Sequence, residues 1–423
     1  MKRKISCVCI IIMLFLINII SLPVFGLKTN IITNYGQTIT VDDNGNADYT
    51  KIQDAIDAAN NGDTVYVHNG MYYESLVVDK AIILTGQNRK YTVIDAQNAS
   101  YAIKLTVDNI KINGFTVQNA YWDDIHFKYS NNSQIFNNII QNTNRYNGIC
   151  VRDMCDNTKI YNNIVRNCKD IGIELNSNNN EVYDNTVSNN GWCGIYNWDS
   201  PTAVNKNFIF DNTIEGNYYG IVLSEINEVY GNILRSNTEG AILVGSSNNK
   251  IHDNDIIDNI GDGIIIEYPE NNEIYSNKFY NNYNGVKIMM FTSNNKIYGN
   301  TFEKNYRGVY IERMCSGNII YHNNFLSNSH QHALDSKANT NIWNTSTGGN
   351  YWDDYKDNHP DAKPSEDGKT WDTEYSITFD SYDFYPLINK VGKSKIKSFS
   401  LNFPNVLIRL LEYFPLLQNF LKI

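Results

Sequence analysis

The chain has 423 residues, 42% of them hydrophobic, and carries 45 Asp+Glu against 35 Lys+Arg for a net charge of −10. That balance excludes nucleic acid as a natural partner and repels a free polyanion unless cations bridge it to the protein. The apolar residues are spread evenly along the chain, which is enough for one continuous core without a second globular domain.

Lys2, Arg3 and Lys4 precede an apolar run from Cys7 to Ile20 and a Val24-Phe25-Gly26 ending. This is the order expected of a secretory signal peptide over residues 1–26, and it places the mature chain outside the cytoplasm, secreted or at the cell surface. The next readable element spans 49–60. Thr50 with Gln53 predicts a capping box, Ile52, Ala55, Ile56 and Ala59 share one helical face, and Gly62 stops the helix before a first strand at 64–67. A short amphipathic helix there covers the open end of the strand-rich body of the chain.

That body is a repeat. Asn138, Asn163, Asn185, Asn212, Asn232, Asn254, Asn277, Asn300 and Asn323 recur at intervals of 25, 22, 27, 20, 22, 23, 23 and 23 residues. Each closes a phrase such as KIYNN (159–163) or KIYGN (296–300), and a Gly-apolar pair comes after it, among them Gly148-Ile149, Gly172-Ile173, Gly194-Ile195 and Gly308-Val309. A period in the low twenties means a solenoid. The bursts GIEL (172–175), GVKI (285–288) and GVYI (308–311) alternate with a period of two, which makes strands, too short for helices. Three such strands per repeat predict an all-β, right-handed parallel β-helix of about twelve coils of 20–27 residues, with asparagine amides stacked in register at the bends. A leucine-rich repeat would need Leu at set positions and a helical half, and the chain has neither.

The repeats of form NNxIYxNxI with their Gly-Ile strands resemble those of the NosD-like class of secreted parallel β-helix proteins, which includes carbohydrate-binding and sugar-hydrolysing, pectate-lyase-type members. The segment DDNGNADYTKIQDAIDAANNGDTVYVHNGMYYE (42–74) and the closing GGNYWDDY…DFYPL (348–387) also resemble that class. The resemblance implies the pectin-lyase-like solenoid fold over roughly residues 35–390, and two activities: glycan binding or processing, and a copper-accessory role. A purely structural envelope module is the third possibility.

The longer repeats and the run Tyr121-Trp122-Asp123-Asp124-Ile125-His126 point to residues 120–207 as the site region. Aligning Asp124 with Gly148, Gly172 and Gly194 places Lys104, His126, Cys150, Glu174 and Tyr196 in one outward row, and Lys128, Arg152, Asn176 and Trp198 in a second. The candidate catalytic groups are Asp123, Asp124, Glu174 and Arg152. Trp122, His126, Trp192, Tyr196, Trp198 and Asp199 are the candidate sugar-binding groups, because aromatic faces stack on pyranose C–H surfaces while carboxylates hold hydroxyls. If the protein is an enzyme, it is a polysaccharide lyase or a glycoside hydrolase; the alternative for every one of these residues is a solvated face. A calcium-dependent lyase needs acids and an arginine base, and Asp123, Asp124, Asp153, Arg145 and Arg152 supply those types. GFTVQNA (114–120) resembles pectin methylesterases, but the paired-aspartate motifs of that family are missing, as is the aspartate triad of polygalacturonases. Glu267 and Glu312 share an outward row two coils apart and read as exposed acids.

For copper, the soft donors are Met154-Cys155, Met289-Met290 and Met314-Cys315, with His126, His252 and His322; His126 and Cys150 form the one close His/Cys couple. The ligand set is left unassigned. The predicted mature chain holds Cys150, Cys155, Cys168, Cys193 and Cys315, and Cys168 with Cys193 is placed in one bend of neighbouring coils, either bridged or buried as small apolar residues. Phe136, Tyr161, Tyr183, Phe210, Tyr230, His252, Tyr275, Tyr298 and Tyr321 form an outward aromatic row, expected to stabilise the sheet by stacking, with a long polysaccharide track as the alternative.

The β-helix with its cap is thus expected over 27–339. An acidic, tryptophan-containing region at 340–389 closes the other end, and its DNHPDAKPSEDG (357–368) departs from calcium-loop spacing. Residues 390–423 form a lysine-led apolar tail broken by Pro404 and Pro415, expected to dock on a membrane surface or a partner, or to fold back on the solenoid.

Overall fold

The computed structural model describes residues 36–152, 154–197, 206–224, 226–336 and 340–392. The predicted signal peptide, Asp153, Trp198, Asp199 and the tail from 393 lie outside them.

One repeat makes one turn. In the turn that begins at Lys159, the strand Lys159–Tyr161 lies in a first sheet, Ile164–Arg166 in a second and Ile171–Leu175 in a third. Successive turns pair in parallel, and the three sheets have 13, 13 and 12 strands, a solenoid of about thirteen turns. Short strands suit this geometry because asparagines adopt the left-handed region at the bends, as Asn162 does at φ 54° and Asn167 at φ 56°.

The period-two pattern decides the core. Ile135, Ile160 and Val182 pair in the first sheet, Ile140, Val165 and Val187 in the second, and Ile149, Ile173 and Ile195 in the third, all fully buried. Each residue therefore sits on its own counterpart one turn away, and one apolar column per strand row runs the length of the solenoid. Gly172 is required where it stands: a Cβ there would lie 2.6 Å from the Gly194 carbonyl and 2.8 Å from the Asn190 amide.

The asparagine row is a hydrogen-bonded ladder. Asn138 donates from its backbone and its side chain to Oδ1 of Asn163, at 3.0 and 3.2 Å, and the pattern repeats to Asn350. Two further ladders exist that the repeat spacing alone did not separate. One runs Asn190, Asn217, Asn237, Asn259, Asn282, Asn305, Asn328 at the bend between the second and third sheets. The other includes Asn227, Asn249, Asn272, Asn295, Asn318 and Asn341 between the third sheet and the next turn. Each rung satisfies buried amides that would otherwise be orphaned.

The ends differ in detail from expectation. The N-terminal helix is Ile52–Ala58, with Ile52, Ala55 and Ile56 buried on the first turns. Its N-cap is Lys51 with no side-chain cap bond; Glu74 instead accepts the N–H groups of Ile52 and Gln53 at 2.8 and 3.0 Å. Thr50 and Gln53 do not form the predicted capping box, because a carboxylate 22 residues further along the chain reaches the same donors. At the other end, Trp352 stacks on Phe325 at 4.3 Å and on Tyr375 at 4.2 Å, extending the Phe279–Phe302–Phe325 column into the closing region.

Candidate functional site

The strand Asp123–Lys128 sets the site. Its His126 pairs with Lys104 on one side and Cys150 on the other, Cys150 pairs with Glu174, and Glu174 with Tyr196, so the outward row expected from the alignment is present. Lys128 pairs with Arg152 in the second row. A further outward row, missed from sequence, runs Tyr101, Asp123, Asn147, Ile171, Cys193 and Tyr219.

Between these rows lies a compact polar cluster. Nδ1 of His126 lies 3.0 Å from Oδ2 of Asp123, and Oδ1 of Asp123 accepts the backbone N–H of Asn147. The Asn147 amide donates to Glu174, which also takes a two-pronged bond from Arg152 at 2.7 and 3.0 Å. The Cys150 thiol faces the same Glu174 oxygen at 3.6 Å. Ligand-capable atoms of Asp123, His126 and Cys150 all lie within 4.8 Å of one another. Burial pushes the Cys150 thiol well above its ordinary pKa, and the nearby carboxylates of Glu174 and Asp123 push the same way. Without a cation, Cys150 is therefore a protonated thiol, and it is not an activated nucleophile.

His126 has no hydrogen-bond partner at Nε2 among the described residues, and it is held from the side by Tyr101, stacked at 4.4 Å. Trp122 packs edge-on to Tyr101 and is 39% exposed, so it forms the open lip of the site. Lys104 sits over the Tyr101 ring, and Arg145 bonds the Tyr121 hydroxyl at 3.0 Å. Lys104 and Lys128 flank His126 on neighbouring strand positions, Arg145 lies in the adjoining bend and Arg152 is ion-paired to Glu174, on an otherwise acidic protein.

The two neighbouring aspartates part company. Asp124 is fully buried and level with Gly148, and its carboxylate accepts the N–H of Ala120 and the hydroxyl of Thr143, two residues of the bend row that continues as Cys168 and Asn190. Burial raises its pKa well above the ordinary range. A side chain at the position Asp124 shares with Gly148 points inward, towards where Cys168 and Val165 stand in the next turn, so the candidate catalytic carboxylate of Asp124 is turned into the solenoid and does not reach the surface. Trp192 and Tyr196 pack together at 5.0 Å, three turns from His126, over an outward apolar patch of Ile171, Cys193 and Val222. This also separates the cysteines: Cys168 bonds into the second ladder while Cys193 faces outward, and Cys150, Cys155, Cys168, Cys193 and Cys315 are all free and buried. The expected shared bend for Cys168 and Cys193 is not found. Asn147 and Tyr101, which sequence reasoning missed, carry one readable signal, their position one residue before the glycine or alanine of each third-sheet strand.

Residues 56–235 and 224–357 match the family model described as "Periplasmic copper-binding protein (NosD)". The chain belongs to the NosD family. Comparison with curated proteins finds no match. Among solved structures, the mannuronan C-5 epimerase AlgE4 A-module of Azotobacter vinelandii superposes with a TM-score of 0.54 at 15% identity, covering 67% of this chain and 91% of that one. The catalytic unit of the GH87 alpha-1,3-glucanase from Streptomyces thermodiastaticus gives 0.56 at 15% identity, covering 70% of this chain and 63% of that one. These likenesses show that this NosD-family chain shares the parallel β-solenoid fold of polysaccharide-active proteins. The copper in the family's description finds a matching donor set here. Asp123, His126 and Cys150 offer oxygen, imidazole and sulfur, and the adjacent Oδ1 of Asn147 is buried without a hydrogen-bond partner.

Proposed function

We propose that this protein works outside the cytoplasm and binds an extended acidic polysaccharide across the outer face of the third sheet, where His126 removes a proton from the bound sugar. The carrying observation is the oriented histidine: Asp123 engages Nδ1 and leaves Nε2 unbonded, between Lys104 and Cys150 and beneath Tyr101 and Trp122. A carboxylate on one ring nitrogen makes the other a positioned base. In a uronate the carbon next to the carboxylate bears the acidic C–H. Lys104 neutralises that carboxylate as charge builds on it, and the C–H electron pair moves into the sugar while the proton goes to Nε2. The pair then either takes up a proton on the opposite face, inverting the carbon, or expels the C4 oxygen, which leaves with a solvent proton and creates a double bond. The names of the fold neighbours, an epimerase and a glucanase, support a glycan as substrate class, and the leader-like first 26 residues with the family's periplasmic description support the location.

The test offers the full chain polymannuronate, polygalacturonate and a neutral glucan, reading retention, unsaturated products and solvent deuterium incorporated into the sugar. Binding with deuterium or unsaturated product is expected for one of the acidic polymers; no retention on any of them overturns the reading.

A second reading is favoured by one specific fact, the sulfur of Cys150 beside His126 and Asp123. In it these three residues would hold a copper ion for carriage, and the Asn147 N–H would fix the Asp123 carboxylate that orients the histidine. Copper(I) titration against a chromophoric chelator, with Cys150→Ser as the control, decides it: equal affinity in both proteins removes this reading.

A further inference from the structure

The bend that leads into the third sheet carries a second aromatic row. Backbone hydrogen bonds from turn to turn place Trp122, Tyr146, Asp170, Trp192, Tyr218, Glu239, Gly261, Tyr283, Tyr306 and His330 at equivalent positions. The row passes the polar cluster at its start and ends in a stack, with Tyr283 on Tyr306 at 4.9 Å and Tyr306 on His330 at 4.7 Å.

The stack stops abruptly at Tyr283. The preceding position is Gly261, which has no side chain, so among the described residues no ring lies on the other face of Tyr283, and that residue is 51% exposed. Gly261 is not replaceable by a larger residue, because a Cβ there would lie 1.9 Å from the Glu239 carbonyl. Beside the gap is a depression of 380 Å³ lined by Asp258, Ile260, Asn281, Tyr283, Lys304 and Tyr306. Ile260 is 72% exposed, and Arg307 sits over the Tyr306 ring at 4.8 Å.

We propose that this depression is a remote sugar-binding subsite, in which one pyranose ring of an acidic polysaccharide stacks on Tyr283 in the space above Gly261. The inference rests on the glycan reading above and extends it. An apolar ring face, a carboxylate and an amide for hydroxyls, and Lys304 with Arg307 for a uronate carboxylate are the chemistry such a ring needs. The row's own turn-to-turn spacing, about 4.8 Å, is comparable to one sugar unit, so a polymer lying along it stays in step with the turns. Seven turns separate the Trp122 position from Tyr283, about 34 Å. A tetrasaccharide held at His126 cannot reach the subsite, whereas a polymer can. The second contact then acts as an intramolecular one and raises avidity for long chains.

The test measures binding of the full chain to polymannuronate and polygalacturonate as polymers and as tetrasaccharides. The wild-type protein is expected to prefer polymer. Tyr283→Ala should weaken polymer binding about 3- to 10-fold, the loss of one stacking contact, and leave tetrasaccharide binding unchanged, while Tyr283→Phe keeps wild-type affinity. Equal polymer affinity in the wild type and Tyr283→Ala overturns the subsite and leaves the His126 reading standing. A wild-type protein that binds no glycan overturns both.

Discussion

The backbone N–H of Asn350 donates to the buried Oδ2 of Asp383 at 2.6 Å, and this is where the first asparagine ladder ends. Nε1 of Trp352 reaches the same oxygen at 3.0 Å. In each ladder the amide of one turn donates to the Oδ1 of the next, so the last asparagine needs an acceptor. Asn341 finds Asp335, and Asn328 finds Nδ1 of His332. Burial raises Asp383 to about 7, partly offset by its donors. The native state therefore keeps a proton that the unfolded chain releases near pH 4, and stability should fall as pH rises from about 4 through about 7, by a few kcal/mol. Thermal unfolding across that range should show the slope in the wild type and a flatter one in Asp383→Asn; identical profiles would contradict the assignment.

Interior rungs should be costly to remove. Asn254 donates to the carbonyls of Val229 and His252 and to Asn277, and its own Oδ1 accepts from Asn232. Asn254→Ala strands several buried groups at once, at about 3–5 kcal/mol. Asn281→Ala, which removes an exposed bond to Asp258, should cost under about 1 kcal/mol. Urea unfolding of the two variants provides the comparison.

The cysteines should be silent in the native protein. The five among the described residues are free and buried, and burial lifts the Cys168 and Cys193 thiols above their ordinary range. A thiol reagent at pH 8 is expected to label them only after denaturant is added. Rapid labelling of the folded protein, or a disulfide-bonded pair in mass analysis of the unfolded, unreduced one, would count against this arrangement.

Variants of the polar cluster separate the two functional readings. His126→Gln should abolish proton exchange on a uronan, and Asp123→Asn should slow it about 10²- to 10⁴-fold, with binding nearly unchanged in both. Cys150→Ser should leave the exchange intact and remove copper(I) binding. Loss of sugar exchange in Cys150→Ser would tie the thiol to the glycan chemistry instead.

His332 resembles a metal ligand and is not expected to act as one. Its Nε2 lies 2.9 Å from Asp353 and 3.3 Å from Asp354, but Nδ1 receives the Asn328 amide. Ladder polarity thus assigns the ring proton to Nε2, which donates to the carboxylates and has no lone pair for a cation. Zinc should give the wild type and His332→Gln the same change in melting temperature. A zinc-dependent gain confined to the wild type would reverse the tautomer.

Much of this was legible because the repeat is nearly constant. The Asn138–Asn323 row and the Lys104-His126-Cys150-Glu174-Tyr196 register need only counting. Asn237, Asn259, Asn282, Asn305 and Asn328 keep a spacing of 22 or 23 as well, but Thr143 and Cys168 hold that place in earlier turns and hide the ladder. Asp124 is a carboxylate of the right type in the right region, but the position it shares with Gly148 points inward, and residue type does not report that. Glu74 at the helix N-terminus, like Asn147 between Asp123 and Glu174, acts across a full turn of chain, and local patterns do not register such contacts.

Because each turn advances by the same step, the distance between His126 and Tyr283 is a count of repeats. Insertion or deletion of one whole repeat between them would alter that distance by a single step and leave both places chemically intact, since each turn only asks its neighbours for matching amides and matching apolar residues. The solenoid is in that sense a ruler whose graduations can be added or struck out by recombination, and the length of polymer it measures is open to change without any change in the chemistry at either mark.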